Sequence, residues 1–188
     1  MSTNAGARVQ SADETATLAG GCFWCLEAAF RELEGVRSVT PGYMGGSRRR
    51  PTYGEVCAGD TGHAEVVQIR FDPRVIAYRS LLEAFFALHD PTTPNRQGHD
   101  VGSQYRSAVF FHSASQRDEA RAMIGALEHE AVFRDPIVTE IVPAGDFWPA
   151  EDYHRDYFRG HGEEPYCRLV IAPKLAEFRR RHAARLKR

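Results

Sequence analysis

Residues 20–27, Gly-Gly-Cys-Phe-Trp-Cys-Leu-Glu, place two thiols three positions apart behind a pair of glycines. Thr15 to Gly20 alternates as a short strand, and Leu26, Ala29, Phe30 and Leu33 follow with helical spacing, so Cys22 stands where a strand turns into a helix. The free N–H groups and dipole of a helix start favour a thiolate there. The glycines permit a sharp turn and leave room for a substrate. Residues three apart in a first helical turn have Cα atoms about 5–6 Å from each other, so Cys22 and Cys25 can alternate between dithiol and disulfide. The competing fates are burial of both as small apolar side chains and a zinc half-site. No second Cys-x-x-Cys completes such a site, and His154 and His161 are too far apart to do so. Thiol chemistry without a metal is the expectation.

Glu65 opens a run, Glu65 to Phe71, in which it shares a face with Val67, Ile69 and Phe71. A carboxyl held among apolar side chains is harder to ionise and stays partly protonated near neutrality, as a general acid requires. A strand-end Glu turned to solvent is the alternative. Phe23, Trp24, Tyr43, Tyr53 and Tyr105 offer an apolar wall with phenol donors, suited to a small group with an apolar part and one polar oxygen. Taken singly, each of these aromatics reads more readily as core. His89, Asp90, Asp100 and Tyr105 lie in or beside one polar loop, where turn and cap roles are as natural.

The elements that must hold these groups follow from periodicity. A strand ends at Gly20 and a helix starts near Cys22, stopped by Gly35. Val36 to Tyr53, rich in Gly, Pro, Ser and Arg, reads as a long loop or ribbon. After the Glu65 strand, Leu81, Leu82, Phe85, Phe86 and Leu88 make a helix closed by His89-Asp90-Pro91. Thr92 to Gly102 is a polar loop, Tyr105 to Phe111 a strand, and Ala120, Met123, Ile124 and Leu127 an amphipathic helix. Ile137 to Val142 is a last strand. Phe147 to Phe158 reads as a short helix after Pro149, and Leu175, Phe178 and Leu186 stripe a basic terminal helix. This order predicts an α+β fold, a ferredoxin-like split β-α-β sandwich with long excursions and a C-terminal extension, rather than a doubly wound sheet. The expected divisions are a loose leader over 1–15, a catalytic domain over 16–173 and a basic C-terminal helix over 174–188.

Composition narrows the function. Four cysteines in 188 residues are too sparse for a disulfide scaffold. No run of about 18 apolar residues spans a membrane, and the polar N-terminus has no secretory signal, so the expected location is cytoplasmic. The formal charge of −1 hides an asymmetry: Lys174 to Arg188 carries seven basic residues and one Glu, leaving −7 on residues 1–173. Nothing in the whole-molecule charge calls for nucleic acid, and no phosphate-cradling glycine pattern calls for a nucleotide.

The chain resembles the peptide-methionine (S)-S-oxide reductases, the A-type methionine sulfoxide reductases. The resemblance is carried by Gly20-Gly21-Cys22-Phe23-Trp24, Gly42 to Gly46, Pro51 to Cys57, Gly59 to Val67, His89 to Thr93, Asn95 to Gly102, Gln104 to Ser107 and Ala150 to His154. It implies that Cys22 is the nucleophile, that Glu65, Tyr53 and Tyr105 surround the sulfoxide oxygen, and that Phe23 and Trp24 wall the methyl group. It further implies that Asp100 helps order water and polar groups near that oxygen. Cys22 would become a sulfenic acid, and a second cysteine would condense with it to a disulfide that thioredoxin or another external dithiol reduces. Oxidised proteins or free methionine sulfoxide would be the substrates, with no bound cofactor.

The commonest family motif has Gly where this chain has Cys25. A subset shares the Cys, and there it is the resolving residue. Cys167 resembles a C-terminal recycling position and is a possible redox relay; Cys57 reads as structural. Two rival readings remain at this point. One is a thiol–disulfide oxidoreductase acting on protein disulfides, and the other a binding module that docks through its basic terminal helix.

Overall fold

The structure, a computed structural model, describes residues 12–188. Of the leader expected over 1–15, residues 1–11 lie outside the described residues, whereas Glu14 and Thr15 already belong to the first strand. The elements are β1 (Glu14–Gly20), α1 (Phe23–Phe30), β2 (Val36–Met44), α2 (Tyr53–Ala58), β3 (Ala64–Phe71) and α3 (Tyr78–Leu88). They continue with β4 (Arg96–Gln97), β5 (Asp100–Val101), β6 (Ser107–Phe111), α4 (Ala114–His129), β7 (Glu140–Pro143), β8 (Trp148–Pro149), α5 (Tyr157–Gly160) and α6 (Ala172–Arg181).

Six strands form one sheet in the order β7-β6-β1-β3-β2-β8. β3 lies between β1 and β2 and runs antiparallel to both, and β6 flanks β1 on its other side, again antiparallel. A β-α-β unit whose strands are parted by an inserted third is the split arrangement expected from the sequence. The period-2 pattern explains the layers. Ala16 and Leu18 of β1, Val67, Ile69 and Phe71 of β3 and Val109 of β6 point toward a core built with Phe30, Leu33, Leu81, Leu82 and Phe85. Each valine, leucine, isoleucine or phenylalanine buried there stabilises the fold by about 1.5–3 kcal/mol relative to exposure. The opposite face carries Ala19, Met44, Ala64, Val66, Ala108 and Phe110, closed by Val142, Ala144 and Phe147.

Four expectations change. The loop read over Val36 to Tyr53 contains a nine-residue strand, β2, and the start of α2. Pro41-Gly42 looks like a turn but lies within β2: the Pro41 carbonyl still accepts from the Ala150 amide at 2.9 Å. A Cβ on Gly42 would meet Phe147 and the Trp148 carbonyl, so the glycine serves close packing there. The loop read over Thr92 to Gly102 holds a small hairpin of β4 and β5. The strand expected over Ile137 to Val142 is Glu140–Pro143, parallel to β6, and β8 follows it. The short helix expected after Pro149 is divided among β8, a 3-10 turn at Asp152–His154 and α5.

The basic tail is part of the packed unit, so the expected boundary at 173/174 falls inside it. Leu175 and Phe178 of α6 bury in the main core, Leu186 pairs with Leu33, and the Lys187 amide donates to the Glu32 carbonyl at 2.8 Å. Arg179 meets Glu32 and Arg185 meets Glu83, so part of the tail's charge is answered by the body. Among the described residues no helix is long and apolar enough to cross a membrane.

Candidate active site

β1 delivers the chain to α1 through Gly20 and Gly21. Gly21 has φ +94, and a Cβ there would come 2.7 Å from Gln97 Cγ, so the turn demands glycine on both counts. Cys22 follows as the N-cap of α1, and the Cys25 amide donates to the Cys22 carbonyl at 3.2 Å, closing the first turn. Cys22 is half-buried and Cys25 buried, and both thiols are free. Here burial opposes the helix start. Burial first, then the Glu65 carboxyl, push the Cys22 thiol well above its ordinary value, against the Trp24 amide. The start of the eight-residue helix and the Tyr166 hydroxyl work the other way. Cys25, for want of water, is pushed up to about 11.

Glu65 lies where the alternation puts it, on the helix-facing side of β3 and 1% exposed. The Phe23 amide donates to its Oε2 at 3.0 Å, which ties the carboxyl to the residue after Cys22 and leaves Oε1 to carry a proton. Burial raises its pKa to about 8; the Phe23 bond works downward and Asp100 upward. A carboxylic acid that remains protonated at neutrality results. Tyr53, first residue of α2, and Tyr105, on a 3-10 turn before β6, are both held above the ordinary phenol range, by burial and then by Glu65. Both remain hydrogen-bond donors.

The aromatic wall is continuous. Phe23 lies 5.8 Å from Tyr43 and 6.3 Å from Tyr53 between ring centroids. Trp24 stacks on Tyr157 at 3.8 Å, and its Nε1–H donates to His154 Nδ1 at 3.0 Å. That bond fixes the tautomer, because the acceptor nitrogen carries no proton. His154 is fully buried, its ring 4.4 Å from that of Tyr53. Glu151 gathers the same region, accepting from the Tyr43 hydroxyl at 3.0 Å and from the Tyr53 amide at 3.1 Å. Glu27 anchors the segment to α1 by accepting from the Asp156 amide at 3.0 Å.

Asp100, expected near the oxygen, accepts from the Tyr166 hydroxyl at 2.6 Å. Both line a cavity of about 320 Å³ shared with Cys22, Cys25, Gln97 and Lys174. Cys167 is buried in one cluster with Cys25 and Ile171. Cys57, expected to be structural, is exposed on α2, four residues after Tyr53. Among the described residues no group of three or more His, Cys, Asp or Glu side chains gathers as a metal site.

The structure thus brings Cys22, Glu65, Phe23 and Tyr53 together, ties Trp24 alongside them and sets Cys25 and Cys167 against each other. Sequence reasoning missed Glu151, His154 and Tyr166 as organisers of the site. The block Ala150 to His154 was the one available signal, and it carries no local spacing that names a role.

Residues 14–187 match the family described as peptide methionine sulfoxide reductase. The chain is 59% identical over 177 residues to a peptide methionine sulfoxide reductase MsrA of Ralstonia nicotianae, across 92% of this chain and 93% of that protein. Among solved structures it is similar to Mxr1 from Saccharomyces cerevisiae in reduced form, with a TM-score of 0.76 and 35% identity over 83% of this chain and 90% of that one. Mxr1 in complex with Trx2 gives a TM-score of 0.53 at 25% identity, over 80% of this chain and 91% of that one.

Proposed function

This chain belongs to the peptide methionine sulfoxide reductase family and is an oxidoreductase acting on methionine sulfoxide; we propose that Cys22 is its nucleophile, Glu65 its acid and Cys25 its resolving thiol. The observation that carries the proposal is the Phe23 amide on Glu65, which sets a protonated carboxyl beside the residue next to Cys22. The Cys22 sulfur attacks the sulfoxide sulfur as Glu65 hands its proton to the oxygen, with Tyr53 and Tyr105 donating to the charge that develops there. The protonated oxygen then passes as a hydroxyl from the substrate sulfur to the Cys22 sulfur while the sulfur–sulfur bond made in the attack breaks, so that methionine leaves and Cys22 becomes a sulfenic acid. The proton lost by the Cys22 thiol balances the one that Glu65 gave. Asp100 orders the polar groups around the oxygen.

Cys25 then attacks the Cys22 sulfur, water departs, and a disulfide forms within one helical turn without any loop having to travel. An external dithiol reduces it by exchange. Thioredoxin is that reductant in our reading, supported by the complex of the related Mxr1 with Trx2. The packing of Cys167 against Cys25 supports a relay in which the disulfide is passed outward. Selection of the S epimer follows from the family resemblance, and a cytoplasmic setting, which keeps thiols reduced, suits the cycle.

The test is mass spectrometry of the enzyme after one equivalent of a methyl sulfoxide under non-reducing conditions. A Cys22–Cys25 linkage is expected, with Cys25–Cys167 appearing later if the relay operates. A first linkage from Cys22 to Cys57 or Cys167 would overturn the assignment of the resolving thiol.

A further inference from the structure

Ser47 to Arg50 leads from β2 to the helix that opens with Tyr53, and all four residues are exposed. Three consecutive arginines stand there in a body that is otherwise acidic, −7 over residues 1–173. Their backbone base is fixed. The buried His63 ring accepts from the Gly46 amide at 3.0 Å through Nδ1 and donates to the Arg48 carbonyl at 2.7 Å through Nε2. The Ser47 amide donates to the Thr61 carbonyl at 3.1 Å. A Cβ on Gly46 would collide with the backbone of Thr61 and His63.

Arg48 is spent on Glu55 at 2.5 Å, the carboxylate that also caps α2. Arg49 and Arg50 have no carboxylate within ion-pair distance among the described residues. Arg49 lines a cavity of about 380 Å³ with Arg106, Phe110, Val142 and Trp148. Arg106 is used by Glu140, and Asp146 is the other acid of the lining. Because Tyr105 of the catalytic pocket immediately precedes Arg106, this cavity and that pocket share a stretch of backbone. Arg50 stands three residues before Tyr53, so residues that flank an oxidised methionine bound beside Tyr53 fall within about 10 Å of chain from this loop.

We infer that Arg49 and Arg50 select polypeptide substrates in which methionine sulfoxide is flanked by acidic residues. The inference rests on the reductase reading above. Nucleic acid or an anionic lipid surface fits the same two charges less well, since the acidic body around them repels a large polyanion. Two rim ion pairs mostly accelerate encounter, are screened by salt and amount to a modest factor.

The experiment compares kcat/KM for three substrates: a peptide with glutamates on both sides of methionine sulfoxide, the same peptide with lysines, and N-acetyl-methionine sulfoxide methylamide. The expected preference for the acidic peptide is about five- to tenfold at low salt, shrinking as salt is raised. Arg49→Glu with Arg50→Glu should reverse the order of the peptides, Arg49→Ala with Arg50→Ala should level it, and the small amide should change less than about twofold with either variant. Equal rates on the two peptides, a preference that survives both variants, or inhibition by an oligonucleotide without any peptide preference would overturn the inference and leave the reductase reading standing. Failure of the unaltered enzyme on all three substrates would overturn both.

Discussion

Cys22 stands between two unlike surroundings. On one side Glu65, Tyr43, Tyr53 and Tyr105 come from the sheet, α2 and the turn before β6, joined by directional bonds such as the Phe23 amide to Glu65 and the Tyr43 hydroxyl to Glu151. On the other side Cys25 meets Cys167 and Ile171 through apolar packing. There the covering segment is a short π-helical turn whose Leu169 is 74% exposed. The difference teaches a division of labour. Protonating an oxygen requires donors that do not move, which a sheet and buried hydrogen bonds provide. Passing a disulfide along requires sulfurs that change partners, and a lightly covered segment opens at lower free energy than strands do.

That contrast can be broken by substitution. Cys22→Ser should abolish both halves, leaving no methionine even in a single turnover; residual product in a quenched assay would remove Cys22 as nucleophile. Cys25→Ser should separate them: one methionine per enzyme still forms, while dithiol-driven steady-state turnover collapses. Unchanged turnover would move the resolving role to Cys167. Glu65→Gln should slow the single-turnover step by about 10²-fold or more while leaving disulfide exchange intact. A fall below threefold would take the acid role away from Glu65.

The pH dependence sharpens the same boundary. The acid form of Glu65 prevails below about 8, so the single-turnover rate should decline as pH rises through that value, and Glu65→Gln should lack this limb. Stability carries a matching signature. Glu65 stays protonated in the folded chain between the ordinary carboxylate range and about 8, while the unfolded chain has already lost that proton. The folded state binds more protons in this window, so stability falls as pH rises through it. Thermal melts should show Glu65→Gln gaining on the parent over that interval. Cys57→Ser, at a side chain that bonds the Tyr53 hydroxyl, keeps a hydrogen-bonding group there and should change either half by less than about twofold.

The catalytic side was the more legible in sequence, because its signals are local: glycines before Cys22, period-2 alternation around Glu65, helical spacing after Cys25. β2 was hidden because Pro41-Gly42 is turn chemistry by type, and it is the pairing with Val67 and Val66 of β3, distant in sequence, that makes it strand. Glu151, His154 and Tyr166 were hidden for another reason. Their partners lie far away along the chain, 130 residues from Trp24 to His154, and no local period encodes such a meeting. At Cys22 a local rule meets a long-range one, the helix start against burial and Glu65.

The strap between the chain's last residues and α1 bears on how the molecule is made. A ribosome releases Cys22 early, but Glu27 waits 129 residues for the Asp156 amide, and Leu33 waits longer still for Leu186. The first helix therefore leaves the exit tunnel with its thiols uncovered and one end untied. A ribosome-held chain stalled before residue 150 should expose Cys25 to alkylation that the finished protein resists, so the vulnerable moment for this thiol is the chain's synthesis.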